Sequence, residues 1–300
     1  PTRRSSDLLP PEEPAGENPP EGAIIDYWLG AKVQGPVTLS IYDSQGKLVR
    51  QYASDAPAPQ LDTDQYFPPA WLSAPEKLDG GAGGHRFVWD LRYPRPAAIN
   101  YDYSIAAVYG RGGALLPQGP LVLPGKYRVT LTAGGETLSQ PLTVTLDPRV
   151  PAAVAKAALP QQLKFAQDLG EALGQSYIAH AELAKLRQDL AKLEPQLTAA
   201  ADAGLAASVT ALDAKAELLE SKSKDQRNLA AINGRLAGLA SEAGDGDRAP
   251  PQQYRDAFKE YQGYLQDALK SWKDLQSGEL TALNAALKTR GLAPLTVVSP

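Results

Sequence analysis

The stretch Val37-Thr-Leu-Ser-Ile-Tyr-Asp43-Ser-Gln-Gly46-Lys-Leu-Val-Arg50 decides the fold of the first half of the chain. Val37, Leu39 and Ile41 alternate with polar residues, which is the period of a strand with one buried face. The following Asp-Ser-Gln-Gly predicts a tight turn, because Gly46 can adopt a positive φ, and a return strand begins after it. The stretch therefore predicts a β-sandwich hairpin, and it holds no nucleophile, metal ligand or phosphate-binding loop.

The composition excludes several classes of protein. A length of 300 residues favours two domains rather than one. The 30 basic and 34 acidic residues give a net charge of −4, and no basic run gives the footprint of a nucleic-acid binder. Cysteine is absent, which excludes a disulfide framework, a zinc knuckle and thiol catalysis. No apolar run approaches the ~20 residues that a membrane span needs.

The first 22 residues are predicted to be a disordered linker. Residues 9–22 are dense in Pro, Glu and Gly, and such a segment cannot bury enough apolar surface to order itself. Residues 1–8 resemble a common sequencing-adapter oligonucleotide translated in one frame, which indicates a fragment of a metagenomic gene; a disordered basic arm is the alternative. Because methionine is absent, the true N-terminus is expected to lie upstream.

Residues 23–149 are predicted to form an antiparallel Ig-like β-sandwich, because short alternating strands follow one another without a helical period between them. Besides the hairpin, strands are predicted at Ala23–Leu29, His85–Leu91, Lys126–Thr132 and Leu138–Leu146, with a hairpin turn at Gly134-Gly135. Two long loops, residues 54–84 and 93–124, interrupt the strands. Loops of that length are uncommon and are either functional or packed over a neighbour.

Residues 150–300 are predicted to be all-α, because leucines recur there at spacings of three and four. An antiparallel three-helix bundle with a broken middle helix is favoured, and four helices are the alternative. The count depends on Ser221–Asp225, which is either a turn between two helices or a kink in one. The clearest apolar stripe continues past a nick at Ser277-Gly278 to a Gly291 cap; it contains Tyr254, Phe258, Tyr261, Leu265, Leu269, Trp272 and Leu275.

Candidate chemistry is sparse. His85 is predicted to be a strand-edge residue, and His180 a core or seam histidine on a leucine stripe. Asp90 is predicted to face away from its apolar neighbours, and Asp245-Gly-Asp247 to cap the following helix. For Asp62 and Asp64, a calcium or sugar contact is the less favoured interpretation. The sequence predicts no catalytic residue, no cofactor-binding residue and no metal site.

Aromatic residues in the two long loops are the candidate ligand or partner surface: Tyr66, Trp71, Tyr101, Tyr103 and Tyr109. Exposed rings could stack on sugar faces and form a carbohydrate platform. The favoured interpretation is that the rings pin the long loops onto the sandwich.

Several motifs together resemble one bacterial family. They are the opening hairpin, Phe87-Val-Trp-Asp-Leu-Arg92, Leu123-Pro-Gly-Lys-Tyr-Arg-Val-Thr-Leu131, Asp147-Pro-Arg149, the leading Gly16-Glu-Asn-Pro-Pro-Glu-Gly22 and the helical Ala231-Ile-Asn-Gly-Arg-Leu236. Over residues 16 to 297 the chain resembles the C-terminal region of large BNR-repeat, sialidase-like or sortilin-like "glycosyl hydrolases". That resemblance implies an N-terminal β-propeller, an Ig-like domain of the flagellar-hook-assembly type, and export to the periplasm or the cell exterior.

The propeller motif of that family, Ser-x-Asp-x-Gly-x-x-Trp, does not occur in this sequence, so no active-site residue can be carried over. The prediction is therefore a non-catalytic accessory or interaction region of an exported β-propeller protein. Its expected partners are the propeller of the same gene product and a protein or carbohydrate, with no nucleic acid and no membrane span. The alternatives are a carbohydrate-binding module that uses the aromatic loops, and a helical oligomerisation tail.

Overall fold

A computed structural model describes residues 20–31, 33–57, 77–103, 115–197, 202–244 and 246–297. In this part of the chain, antiparallel sheets precede a set of α-helices, as the change in sequence period from two to 3.6 predicts. The chain divides into two compact units. The strand-rich unit holds the described residues before Tyr93 together with Tyr127–Leu142, and the helix-rich unit holds those of Tyr93–Lys126 and all described residues from Thr143 onward.

The strands form three groups. β1 (Ala23–Leu29) pairs antiparallel with β4 (Gly83–Trp89). A four-stranded sheet has the order β3-β2-β7-β8, with β2 at Thr38–Tyr42, β3 at Leu48–Ala53, β7 at Gly125–Ala133 and β8 at Glu136–Val144. β5 (Asp102–Tyr103) and β6 (Leu115–Leu116) form a short antiparallel pair.

The predicted hairpin is confirmed in its apolar face and its turn, although Ser40 on the opposite face is also buried, at 4% exposed. Val37, Leu39 and Ile41 are each 0% exposed. Gly46 has a φ of 82°, which only a residue without Cβ adopts at little cost. The Asp43 carboxylate accepts hydrogen bonds from two turn amides at 2.9 Å, so the side chain holds the turn closed.

The predicted extension of β4 to Leu91 is wrong. β4 ends at Trp89, and Leu91 has a φ of 58°. Two hydrogen bonds stabilise the turn here: the Trp89 Nε1 donates to the Arg92 carbonyl at 3.2 Å, and the Arg92 amide donates to Asp90 Oδ1 at 3.1 Å. These local bonds compete successfully with the apolar alternation that predicted a longer strand.

The described residues form four continuous helical segments, which is the predicted alternative count. The first segment is α1 (Ala152–Leu193), which ends in a 3₁₀ turn at Glu194–Gln196. The second is α2 (Ala203–Glu217) with a π turn at Leu218–Lys222, and the third is α3 (Leu229–Ala243). The fourth consists of α4 (Gln252–Leu275), a π turn at Gln276–Leu280 and α5 (Thr281–Thr289). The π turn ends at Lys222, and Asn228 caps α3 by accepting a hydrogen bond from the Ala231 amide at 2.8 Å, so Ser221–Asp225 lies at a break between two helices.

Two helix starts differ from what the sequence pattern indicates. The first leucine stripe in the sequence extends from about Pro160 to Glu194, but α1 begins at Ala152, because the buried Ala155 and Ala158 continue its apolar face upstream of the proline. Asp247 does not cap α4; Pro251 occupies the cap position, and no side chain accepts a hydrogen bond there. Pro251 suits a helix start because its missing N–H would have no partner inside the helix.

One apolar cluster fills the helix-rich unit, and the predicted leucine stripes supply most of it. Ten leucines of this cluster are no more than 1% exposed: Leu169, Leu173, Leu183, Leu186, Leu190, Leu212, Leu229, Leu236, Leu265 and Leu287. The predicted nick at Ser277-Gly278 is a π turn, so the helix continues from α4 into α5. Gly291 ends it with a φ of 72°, as predicted.

Candidate functional site

The predicted aromatic surface divides into residues that the structure describes and residues that it does not. Tyr66, Trp71 and Tyr109 lie outside the described residues, as do Asp62 and Asp64. Tyr103 lies in β5 opposite Leu115. Of the five, Tyr101 is the residue whose side chain the structure describes.

Tyr101 holds its own loop. Its hydroxyl donates to the Pro96 carbonyl at 2.8 Å and accepts from the Ala98 amide at 3.1 Å. The Arg95 guanidinium lies 5.3 Å from the ring centroid. Ala98, in the same loop, is 3% exposed and belongs to the core of the helix-rich unit. Tyr101 thus stabilises a loop rather than presenting an open ring.

Asn233 fastens this loop to the helices. Its Oδ1 accepts a hydrogen bond from the Ile99 amide at 2.9 Å. Its Nδ2 donates to Ser176 Oγ at 2.8 Å and to the Leu173 carbonyl at 3.3 Å. Asn233 is 1% exposed and Ser176 is 0% exposed, so these bonds form away from water. Buried polar groups need such partners, and this one amide supplies them both to the loop at Ile99 and to α1.

The two histidines lie in different surroundings. His85 stacks on Tyr27 with 5.1 Å between ring centroids, and its Nε2 donates to the Gly81 carbonyl at 2.8 Å. His180 Nε2 lies 3.9 Å from a Glu220 carboxylate oxygen. Burial lowers the pKa of His180, and the negative charge of Glu220 opposes that shift in part. Each histidine ring lies against neighbouring residues of its own unit, as is typical of a histidine on a strand edge or between packed helices.

Arg187 joins α1 to α2 and its π turn. Its guanidinium donates to Asp213 at 2.9 Å, to Glu217 at 2.8 Å and to Glu220 at 2.6 Å. The hydrogen bond to Asp213 is the main reason that the pKa of Arg187 is raised. A planar guanidinium with five donors suits this three-carboxylate arrangement, and its charge offsets the repulsion among the acids. Among the described residues, no group of three or more His, Asp or Glu side chains is arranged to hold a metal ion.

The exposed face of β1 and β4 carries a surface that the sequence pattern does not indicate; we call it the Trp28 surface. It consists of three cross-strand pairs: Ile24 with Val88, Asp26 with Arg86, and Trp28 with Gly84. The Trp28 side chain is 75% exposed, the largest value among the exposed large apolar residues of the described chain. A depression of about 540 Å³ lies along these strands and is lined in part by the last two pairs.

The geometry of the Trp28 surface is fixed by its neighbours. A Cβ at Gly84 would lie 3.4 Å from the indole, an ordinary van der Waals distance, so the ring lies close over β4 at this position. Arg86 donates from Nε to Asp26 Oδ1 at 2.8 Å and from Nη2 to Oδ2 at 2.9 Å. This bidentate hydrogen bonding lowers the pKa of Asp26. The face thus presents a flat ring beside a charge-neutral polar pair.

Comparison of the chain with protein-family models, with curated proteins and with solved structures found no match. Within the described ranges, no helix is both long enough and apolar enough to cross a lipid bilayer.

Proposed function

We propose that this chain is a non-catalytic accessory region of an exported bacterial β-propeller protein of the BNR-repeat, sialidase-like type. In this proposal an Ig-like sandwich and a helical bundle support the propeller and present a binding surface. The family context comes from the sequence resemblance. The packing of the described residues supports the accessory role.

Ring contacts between the two larger sheets support the sandwich. Phe87 of β4 lies 4.6 Å from Tyr52 of β3, measured between ring centroids, and Trp89 of β4 lies 5.8 Å from Tyr127 of β7. Phe87 and Trp89 are 2% and 0% exposed. Since aromatic rings at these distances bury large areas and attract one another, they would form the centre of a two-sheet core.

Side-chain bonds along the helices support an antiparallel bundle with a broken middle stretch. As residue numbers rise along α1, those of its partners in α3 and then α2 fall: Gln162 with the Ala243 carbonyl, Ser176 with Asn233, and Arg187 with Asp213. Against α4 the numbers rise together: Phe165 with Phe258, and Glu182 with Trp272. These pairings are the ones expected when α1, the stretch of α2 and α3, and α4 run as three successive antiparallel layers.

The observation that carries the proposal is the use of a buried amide, Asn233, and a partly buried guanidinium, Arg187. Asn233 and Arg187 each join three partners, and every partner belongs to the framework of the helix-rich unit. A catalytic group must instead reach a reacting atom from a cleft. The polar side chains that converge most closely are therefore assigned to holding segments together.

The packing of α4 disfavours the oligomerisation tail. Leu265, Trp272 and Leu275 are 1%, 4% and 8% exposed, and Phe258 is partly buried against the same core. A stripe covered by its own chain has little apolar area left for a second copy.

The test combines an activity assay with a binding assay on the whole chain. We expect no turnover of aryl glycosides or sialosides, and we expect binding to the propeller encoded by the upstream reading frame, expressed separately. Turnover that one carboxylate substitution abolishes would contradict the non-catalytic role. An upstream reading frame without repeats of the Ser-x-Asp-x-Gly-x-x-Trp motif would remove the proposed propeller context.

A further inference from the structure

We propose that the Trp28 surface binds a neutral polysaccharide, with a sugar ring stacked on the indole and hydroxyl groups bonded to Asp26 and Arg86. This assigns a ligand class to a site on the strand-rich unit, and it goes beyond the accessory function proposed above. It does not depend on the aromatic loops.

The first reason is the indole itself. Trp28 is 75% exposed, whereas Trp89 and Trp272 are 0% and 4% exposed. Placing so large an apolar ring in water is unfavourable, and tryptophan is enriched among the residues that anchor binding interfaces. The ring rests against Gly84, which leaves its opposite side open. The apolar C–H side of a pyranose ring matches such a flat π surface.

The second reason is the polar pair Asp26–Arg86, which is the cross-strand pair next to Trp28 and Gly84 on the same face. Asp26 and Arg86 lie directly opposite each other on the same face as Trp28. Because Arg86 uses Nε and Nη2 to bond both carboxylate oxygens, Nη1 remains as a donor and the outer lone pairs of Asp26 as acceptors. A sugar hydroxyl both donates and accepts, so it can bond to either group. The two charges cancel, so the pair gives no net attraction to an anionic polymer.

The third reason is the size of the surface. From Ile24 to Trp28 the strand advances about 13 Å, and the two strands with their side chains are about 10 Å wide. That length matches two or three linked sugar rings. The area is far below the roughly 800 Å² per partner of a stable protein interface. An extended saccharide therefore fits the surface better than a protein does.

Affinity electrophoresis of the full chain provides the test. The gels contain one of four neutral polymers (hydroxyethylcellulose, xylan, galactomannan or starch) or the anionic polygalacturonate. We expect at least one neutral polymer to retard the chain. Trp28→Ala should weaken that affinity at least about tenfold, because truncating a central aromatic anchor has effects of this size. Trp28→Phe should retain part of it.

Leu138→Ala is the matched control, because Leu138 is 68% exposed in the same unit but lies on β8. It should leave retardation unchanged, and circular dichroism should show that all three variants are folded. Retardation by none of the neutral polymers, retardation by polygalacturonate alone, or full retention by Trp28→Ala would overturn the proposal. Hydrolysis of a bound neutral polymer would contradict the non-catalytic function and leave the saccharide site standing.

Discussion

Replacing Asn233 by alanine removes three hydrogen bonds at one stroke. The Ile99 amide loses its acceptor, and Ser176 and the Leu173 carbonyl lose a donor. A typical hydrogen bond contributes about 1 kcal/mol net, and a buried group left without a partner costs about 1–3 kcal/mol. Because Asn233 is 1% exposed, water cannot readily replace it. We expect the free energy of unfolding to fall by about 2–4 kcal/mol.

The assay is urea unfolding followed by circular dichroism at the helical band, together with amide hydrogen exchange at Ile99. Asn233→Leu separates lost hydrogen bonds from lost volume, since leucine fills the space without offering polar atoms. The free energy of unfolding of Asn233→Leu should therefore fall by most of the amount expected for Asn233→Ala. In Gly234→Ala, the matched control, the added Cβ has nothing within 4 Å, so helix propensity should raise stability by up to about 1 kcal/mol.

Wild-type stability of Asn233→Leu, or unchanged protection of the Ile99 amide in either Asn233 variant, would refute this reasoning. The first result would mean that packing alone matters at position 233. The second would mean that the loop is held by other contacts.

Three further perturbations test other parts of the helix-rich unit. Gly119→Ala places a Cβ 1.9 Å from the Tyr93 carbonyl oxygen, so unfolding should become easier by about 2 kcal/mol or more, measured in urea; an unchanged midpoint contradicts the close approach. Arg187→Met leaves three carboxylates without their shared cation, so stability at pH 7 should fall by about 1–3 kcal/mol and partly recover as the acids protonate; a loss independent of pH contradicts this. Burial lowers the pKa of His180, so the folded state binds its proton more weakly than the unfolded state does, and the stability from the neutral ring is lost as pH falls below about 6.5. His180→Gln should therefore show a shallower loss between pH 7 and pH 5, and an NMR titration that gives a pKa at or above the ordinary value contradicts it.

The sequence predicted the parts of the fold that repeat at short range. Leucines at spacings of three and four in α1, such as Leu183, Leu186 and Leu190, are buried as predicted, because a helix places those positions on one face. The hairpin at Gly134-Gly135 was predicted for a similarly local reason, since both glycines adopt a positive φ.

The links between distant segments could not be predicted in the same way. Asn233 reads in the sequence as an ordinary polar residue in a helix, and its bond to the Ile99 amide spans 134 residues. Nothing in the local pattern near Ala98 indicates that this loop packs into the helical core. Such pairings depend on which faces meet in three dimensions, and a single sequence does not record that.

The Trp28 surface was missed for a different reason. Along β1, one alternating set is Ile25, Tyr27 and Leu29, and the other contains Ile24 and Trp28. Both sets include large apolar residues, so a period of two does not say which face is buried. Asp26 in the second set was the one available signal, because an ionised carboxylate favours the side that faces water.

The π turn between α4 and α5 has a consequence for the spacing of inward side chains. Leu275 and Leu280 are five residues apart, and in a regular α-helix that separation would rotate the second side chain well away from the first. The wider turn accommodates one additional residue, so Leu280, Leu283 and Leu287 remain 5%, 3% and 0% exposed. The π turn thus accommodates one additional residue, and α4 and α5 bury their apolar side chains in the same core although their apolar positions are offset by that residue.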